Sequence, residues 1–316
     1  MGIAAALVVI ILAAATFAGL YFTNQNQPTQ STQTTELTQA ASQASEIPIV
    51  AAENFWGSLV SQLGGSRTQV LSIVTDPNAD PHEYESNSQD AQAIANAAFV
   101  VVNGAGYDDW ALKIIAASNT PHQVVLNVAD LLDKKEGDNP HFWYSPYYVN
   151  DTVKAMYMDL ISVDPADSAY FTEQYASLNA SLGMYNSRIS EIRQKFAGAK
   201  VASTESIFVY LANATGLDVV SPPAFMDAVA EGNDPPAQSV VQFQQLIQNG
   251  TVTVLVYNAQ TVTPLTQNIK AMAAAKDIPI VAVTETIQPS DVPFQVWMNA
   301  ELISLQNALN AQALGQ

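Results

Sequence analysis

The stretch FTEQYASLNASLGMYNSRISEIRQKF, from Phe171 to Phe196, decides the architecture of this chain. Phe171, Tyr175, Leu178, Leu182, Tyr185, Ile189, Ile192 and Phe196 recur at alternating steps of four and three. That spacing draws one apolar stripe along an α-helix, since 3.6 residues make a turn. Asp164 is placed to cap the helix, Pro165 suits its first turn and Gly198 its end. One helix over 164–197 would be roughly 50 Å long at 1.5 Å per residue. A helix of that length, packed on what lies to either side, makes a stiff connection.

On both sides of it, short apolar runs alternate with helical patterns. Before it, strands are expected at Ile47–Ala52, Gln69–Val74, Phe99–Val102 and Val124–Val128. Helices are expected at Glu53–Leu63, Ser88–Ala97 and Tyr107–Ala117. After it come strands at Lys200–Ser203, Val252–Tyr257 and Ile278–Val283, and helices at Ser206–Ala214, Pro264–Ala275 and Val292–Leu314. Four prolines between Ser221 and Ala237 predict a loop there. The alternation predicts an α/β fold of two lobes with mostly parallel sheets, joined by one long rigid helix. The expected domains are an N-terminal lobe over 47–163, the linking helix over 164–197 and a C-terminal lobe over 198–316. The two halves open alike, with a strand, Glu53 or Glu205, a helix, and Gly64 or Gly216.

The chain has 316 residues, enough for two cores, and a net charge of −18. Nucleic acid is excluded as a partner, since nothing neutralises phosphates. Ile3 to Phe22 is an uncharged apolar run about as long as a bilayer core requires. Residues 1–23 are therefore expected to be a membrane anchor or signal segment, with the uncleaved anchor favoured by the lack of an Ala-x-Ala site between the run and the linker. Residues 24–46, rich in Gln, Thr and Ser, read as a flexible linker. The expected location is extracytoplasmic, held to the cell membrane by the N-terminal segment, or secreted if that segment is cleaved.

Three histidines and no cysteine limit any metal site to imidazole and carboxylate. Two of the histidines follow a proline, in Asp80-Pro81-His82-Glu83-Tyr84-Glu85 and Asn139-Pro140-His141-Phe142-Trp143-Tyr144. Ligands in open α/β sheets bind beyond the carboxyl ends of the strands. His82, Glu205 and Glu285 each lie just past such an end, and His141 lies on the loop leaving the first lobe. These four are the candidate metal ligands, two from each lobe. Two neutral imidazoles and two carboxylates would neutralise one divalent cation. Asp277 and Asp291 are the substitutes for Glu285. Glu83 and Glu85 either orient His82 or face solvent, and His122 is expected at the surface.

The runs Thr75–Glu85, Val101–Trp110 and Pro140–Tyr144, in this order, resemble the zinc/manganese (cluster A-I) solute-binding proteins of metal ABC transporters, from about Ile47 to Ala308. The resemblance implies an ion buried between two lobes and handed to a membrane permease. It implies that the cargo is a divalent metal ion, zinc or manganese. Position by position it aligns His82 and His141 with the family's two histidines. Glu205 stands where zinc-binding members often carry histidine and manganese-binding members glutamate. Glu285, within Thr284-Glu285-Thr286, stands where aspartate is usual. The stretch from Lys134 to Asn139 holds none of the histidines of the loop found in many zinc members. Two other functions were weighed. A metal-dependent hydrolase would use Glu83 or Glu285 as base, but His-Glu-x-x-His spacing is absent. A surface adhesin of the same family leaves no distinguishing mark in the sequence.

Overall fold

The computed structural model describes residues 46–78, 81–118 and 120–314. The apolar run at 3–22 and the linker at 24–45 lie outside the described residues. Residues 44–316 form one compact unit. Among the described residues, no helix is long and apolar enough to cross a membrane.

The first sheet contains β1 (Ile47–Glu53), β2 (Thr68–Val74), β3 (Phe99–Val102) and β4 (Val124–Asn127), all parallel, in the order β2-β1-β3-β4. The second contains β5 (Lys200–Ser203), β6 (Asp218–Val219), β7 (Val254–Asn258) and β8 (Ile280–Val283), also parallel, in the order β6-β5-β7-β8. The two orders are the same, so the matching openings of the halves reflect matching topology. In each sheet the chain reverses its direction of progress between the two central strands. Loops leaving those strands splay apart there and open a crevice.

Helices fill the connections of the first half: α1 (Asn54–Gly64), α2 (Ser88–Asn96), α3 (Asp109–Ser118), the single turn α4 (Val128–Leu131) and α5 (Pro146–Val163). α2 starts on a reciprocal cap, in which Asn87 accepts from the Asp90 amide and Asp90 accepts from the Asn87 amide. The second half has α8 (Val209–Thr215), α9 (Pro223–Ala230), α10 (Ala237–Gln248), α11 (Pro264–Ala274) and α12 (Phe294–Leu314). α9 corrects the expectation of a loop over 221–237. Pro223 stands at the first turn of that helix, where its missing N–H has no partner to lose. α5 and α10 were not assigned from sequence. α5 begins on Ser145, whose hydroxyl accepts from the Tyr148 amide, followed by Pro146.

The joining helix departs from the expectation of a single rod. It runs as α6 (Ser168–Ser181) and α7 (Gly183–Phe196), after a 3-10 turn at Pro165–Asp167 that Asp164 caps through the Ala166 amide. Leu182 lies between the two, at φ −67 and ψ −11, and its backbone bonds to Leu178 and Asn186 persist at 3.0 Å. The helix therefore continues with one relaxed residue, beside a glycine that contributes no side chain. The stripe is buried as expected, except Tyr175, which is half-buried and stacks on Tyr157. α6 packs on α1 and α5, whereas α7 packs on α8 and α12. Each half of the rod thus serves one lobe. A continuous core runs from Phe55, Trp56 and Trp143 through Leu182 and Tyr185 to Trp297 and Leu302. Apolar burial on this scale drives the packing of both lobes against one spine.

Candidate metal centre

His82, His141 and Glu285 each offer one ligand atom, and these atoms all lie within 4.8 Å of one another. His82 Nε2 is 3.6 Å from Glu285 Oε1, and His141 Nε2 is 3.6 Å from Glu285 Oε2. Glu205 Oε1 lies 4.0 Å from His141 Nε2. Of the four residues named from sequence, three thus form one mutually close cluster, and Glu205 stands beside it, next to His141. His141, Glu205 and Glu285 are fully buried, and only His82, with its side chain 19% exposed, reaches towards solvent. His82 also lines an open cavity of about 510 Å³ on the outer side of the cluster.

Each side chain arrives for a local reason. His82 sits in a short 3-10 turn, Pro81–Glu83, after β2. Asn139, two residues before His141, holds it twice. Its Oδ1 accepts from the His141 amide at 3.1 Å and lies 2.7 Å from the ring Nδ1. A carbonyl oxygen can only accept, so Nδ1 carries the proton and Nε2 presents its lone pair to the carboxylates. Asn139 is itself tied to the second lobe, donating to the Ser206 carbonyl at 2.7 Å. Glu205 follows β5, and Glu285 follows β8.

Three residues missed by the sequence reading, Tyr107, Asn258 and Gln260, complete the carboxylate geometry. Tyr107 donates its hydroxyl proton to Glu285 Oε2 at 2.7 Å. Gly104, Ala105 and Gly106 before it all have positive φ, and the Asp108 carboxylate accepts from the amides of Asn103 at 2.6 Å and Gly104 at 2.7 Å. That is the physical content of the Asn103-Gly-Ala-Gly-Tyr-Asp108 run, a left-handed turn locked by one acid. Burial pushes the Asp108 carboxyl up to about 6, against those amide bonds. Asn258, at the end of β7, donates to Glu205 Oε1 at 2.8 Å and to Glu285 Oε1 at 2.7 Å. Gln260 accepts from the amides of Glu285 and Thr286 at 2.7 and 3.0 Å, fixing the ligand-bearing turn. The legible signal was positional: Asn258 ends a central strand, as the ligand positions do.

Burial alone would raise the Glu285 carboxyl, but the positive charge that His141 and then His82 carry when protonated outweighs it and holds the group well below the usual carboxylate range. The cluster is built from lone-pair donors facing each other at 3.6–4.0 Å. Such a set is stabilised by a cation at its centre, and its N2O2 donors suit a borderline divalent ion. Glu285 reaches the cluster itself, so the substitutes are not drawn in; Asp277 and Asp291 are exposed elsewhere. Glu83 and Glu85 point to solvent, His122 is exposed, and Trp143 and Tyr144 are buried walls.

The family described as ZnuA, zinc-uptake complex component A, periplasmic, matches residues 49–308. A manganese-binding lipoprotein, MntA, of Halalkalibacterium halodurans is 30% identical over 124 residues, covering 38% of this chain and 40% of its own. The matches to the first curated relatives span 40 to 61% of those proteins' lengths. The periplasmic zinc-binding protein TroA of Treponema pallidum superposes with a TM-score of 0.71 at 14% identity, over 84% of this chain and 99% of TroA. FpvC of Pseudomonas aeruginosa, solved with Mn2+, superposes with a TM-score of 0.70 at 20% identity, over 84% of this chain and 99% of its own. Those identities speak for the fold; the family match over residues 49–308 speaks for descent. The chain belongs to the family of periplasmic zinc-uptake complex component A, among the zinc/manganese solute-binding proteins.

Proposed function

We propose that this protein is an extracytoplasmic solute-binding protein that captures one divalent metal ion, zinc or manganese, between its lobes and delivers it to an ABC transporter permease. The observation that carries the reading is the convergence of His82, His141 and Glu285 within 4.8 Å, with Glu205 4.0 Å from His141. His82 and His141 come from the first lobe, and Glu205 and Glu285 from the second. An ion held by all four is clamped by both lobes. Capture needs no reaction at the ion, only a dry site whose charge matches it. Relatives are named for manganese, iron and zinc, so family alone does not choose the metal. The domain plan of anchor at 1–23, linker at 24–46, lobes at 47–163 and 198–316 and joining helix at 164–197 is part of this proposal. In it, the N-terminal segment keeps the lobes near the permease that receives the ion. Equilibrium dialysis of residues 44–316 against zinc and against manganese, followed by elemental analysis, tests the reading. The expected result is about one ion per chain with saturation; no saturable uptake of either metal removes it.

A further inference from the structure

We infer that Asn258 is a specificity-determining residue, whose amide staples the two carboxylate ligands together, limits how many oxygens they give the ion, and so favours zinc over manganese. The inference rests on the metal-capture reading above and names the cargo. Asn258 is 1% exposed, and its orientation is fixed because its Oδ1 accepts from the Gln260 amide at 2.9 Å. The NH2 group therefore faces the acids. It has two hydrogens, and it lies 2.8 Å from Glu205 Oε1, 2.7 Å from Glu285 Oε1 and 3.0 Å from Thr261 Oγ1. One nitrogen thus grips one oxygen of each acid. Glu285 is held at its other oxygen too, by Tyr107 at 2.7 Å, so its carboxylate plane is fixed at both ends.

The consequence is a limit on donors. The Glu205 oxygen nearest the imidazoles, Oε1 at 4.0 Å from His141, is the one the amide holds. Turning Glu205 so that both its oxygens reach one ion would pull Oε1 off Asn258. Glu285 turns Oε1 to His82 and Oε2 to His141, each at 3.6 Å, so two imidazoles, one Glu205 oxygen and Glu285 give four or five donors, the numbers that zinc takes. Manganese prefers six donors, largely oxygen, and would need the second Glu205 oxygen or added water. Partners that orient ligands in this way typically change metal affinity by about 10–100-fold when removed.

The test compares wild type with Asn258→Ala and Asn258→Ser, the latter keeping one hydroxyl that can hold only one acid. Zinc and manganese affinities are measured by competition with a chromophoric chelator, and the cobalt(II)-loaded proteins give visible spectra. Metal-free thermal melts establish that each variant is folded. The expected result is a roughly 10–100-fold loss of zinc affinity, with a smaller change for manganese. The cobalt spectrum should shift from the stronger bands of four or five coordination in wild type to the weak bands of six coordination. A folded variant that loses both metals in equal proportion, with its cobalt bands unchanged, overturns the inference. So does a wild-type cobalt spectrum that already shows only the weak bands of six coordination, which needs no variant to be read. Failure of wild type to bind zinc, manganese or cobalt strikes instead at the metal-capture reading.

Discussion

At Glu285 two opposing forces meet: burial favours the neutral acid, and the charge on two facing histidines, when protonated, favours the carboxylate and prevails. Its folded-state pKa lies below the unfolded value of about 4.3. Its contribution to stability is therefore in place above about pH 4.3 and is lost as the pH falls through the depressed value. Metal affinity should fail earlier on the acid side, because both histidines must be neutral to ligate and protons compete with the ion for them. Titrations from pH 7.5 to 5 should show affinity falling with proton uptake, and a flat profile would argue against His82 and His141. His82→Ala and Glu285→Ala should each lose more than the roughly 100-fold typical of an orienting partner, while His122→Ala binds as wild type. A His82→Ala protein that retained wild-type affinity in calorimetry would break the ligand assignment. These candidate ligands were legible because two Pro-His pairs and two strand-end acids stand out in a chain with three histidines. Asn258, Tyr107 and Gln260 were not, because an amide or a phenol announces nothing until the fold brings it to a carboxylate.

Among the elements, the joining helix shows what periodicity conveys and what it misses. The alternating steps of four and three located the stripe, and its residues are buried apart from the half-buried Tyr175. The relaxed residue at Leu182 does not disturb the period, so the pattern could not reveal it. Gly183 follows, with nothing within 4 Å of where a Cβ would stand. Gly183→Ala should therefore stabilise the protein by about 0.5–1 kcal/mol, through helix propensity alone. Denaturant midpoints of metal-free protein measure this, and a loss of stability would mean that the relaxed turn is required. α9 was missed because prolines were read only as breakers, although Pro223 fits a first turn. α12 carries another expectation. Burial pushes the Glu301 carboxyl up to about 8, despite hydrogen bonds from Tyr144 at 2.8 Å and the Thr284 amide at 3.0 Å. An acid with a raised folded-state pKa holds a proton that the unfolded chain releases, so the protein loses stability as pH rises from about 4.3 towards about 8. Glu301→Gln should flatten that decline, raising the melting temperature at pH 9 relative to wild type. Parallel melting profiles for the two proteins would show that Glu301 is ionised throughout.

For the whole molecule, the question is how far the lobes move when an ion arrives. Polar contacts already cross the cleft on several sides. The Ile287 amide donates to Asn54 Oδ1 at 3.0 Å, Tyr144 to the Thr284 carbonyl at 2.9 Å, Tyr210 to the Asn139 carbonyl at 2.8 Å, and Gln288 to the Pro77 carbonyl at 3.1 Å. The apolar core is continuous through both halves and the joining helix. Wide opening would expose that core and break those bonds together, at a cost that one ion would have to offset. The site, moreover, already has its imidazoles and carboxylates within 3.6–4.0 Å. Metal loading should therefore act by linkage on a nearly preformed site. At a free metal concentration of about 100 times Kd, the folded state gains about 2.7 kcal/mol, which raises the melting temperature by several degrees. The radius of gyration from small-angle scattering should stay almost unchanged, with the loop carrying His82, the one partly exposed ligand, as the segment that admits the ion. A rise in melting temperature with constant scattering supports a stiff receptor. A large metal-driven contraction would instead place a hinge in the molecule, and the relaxed turn at Leu182–Gly183 would be the first position to examine, since there the helix backbone relaxes beside a glycine with nothing within 4 Å of where its Cβ would stand.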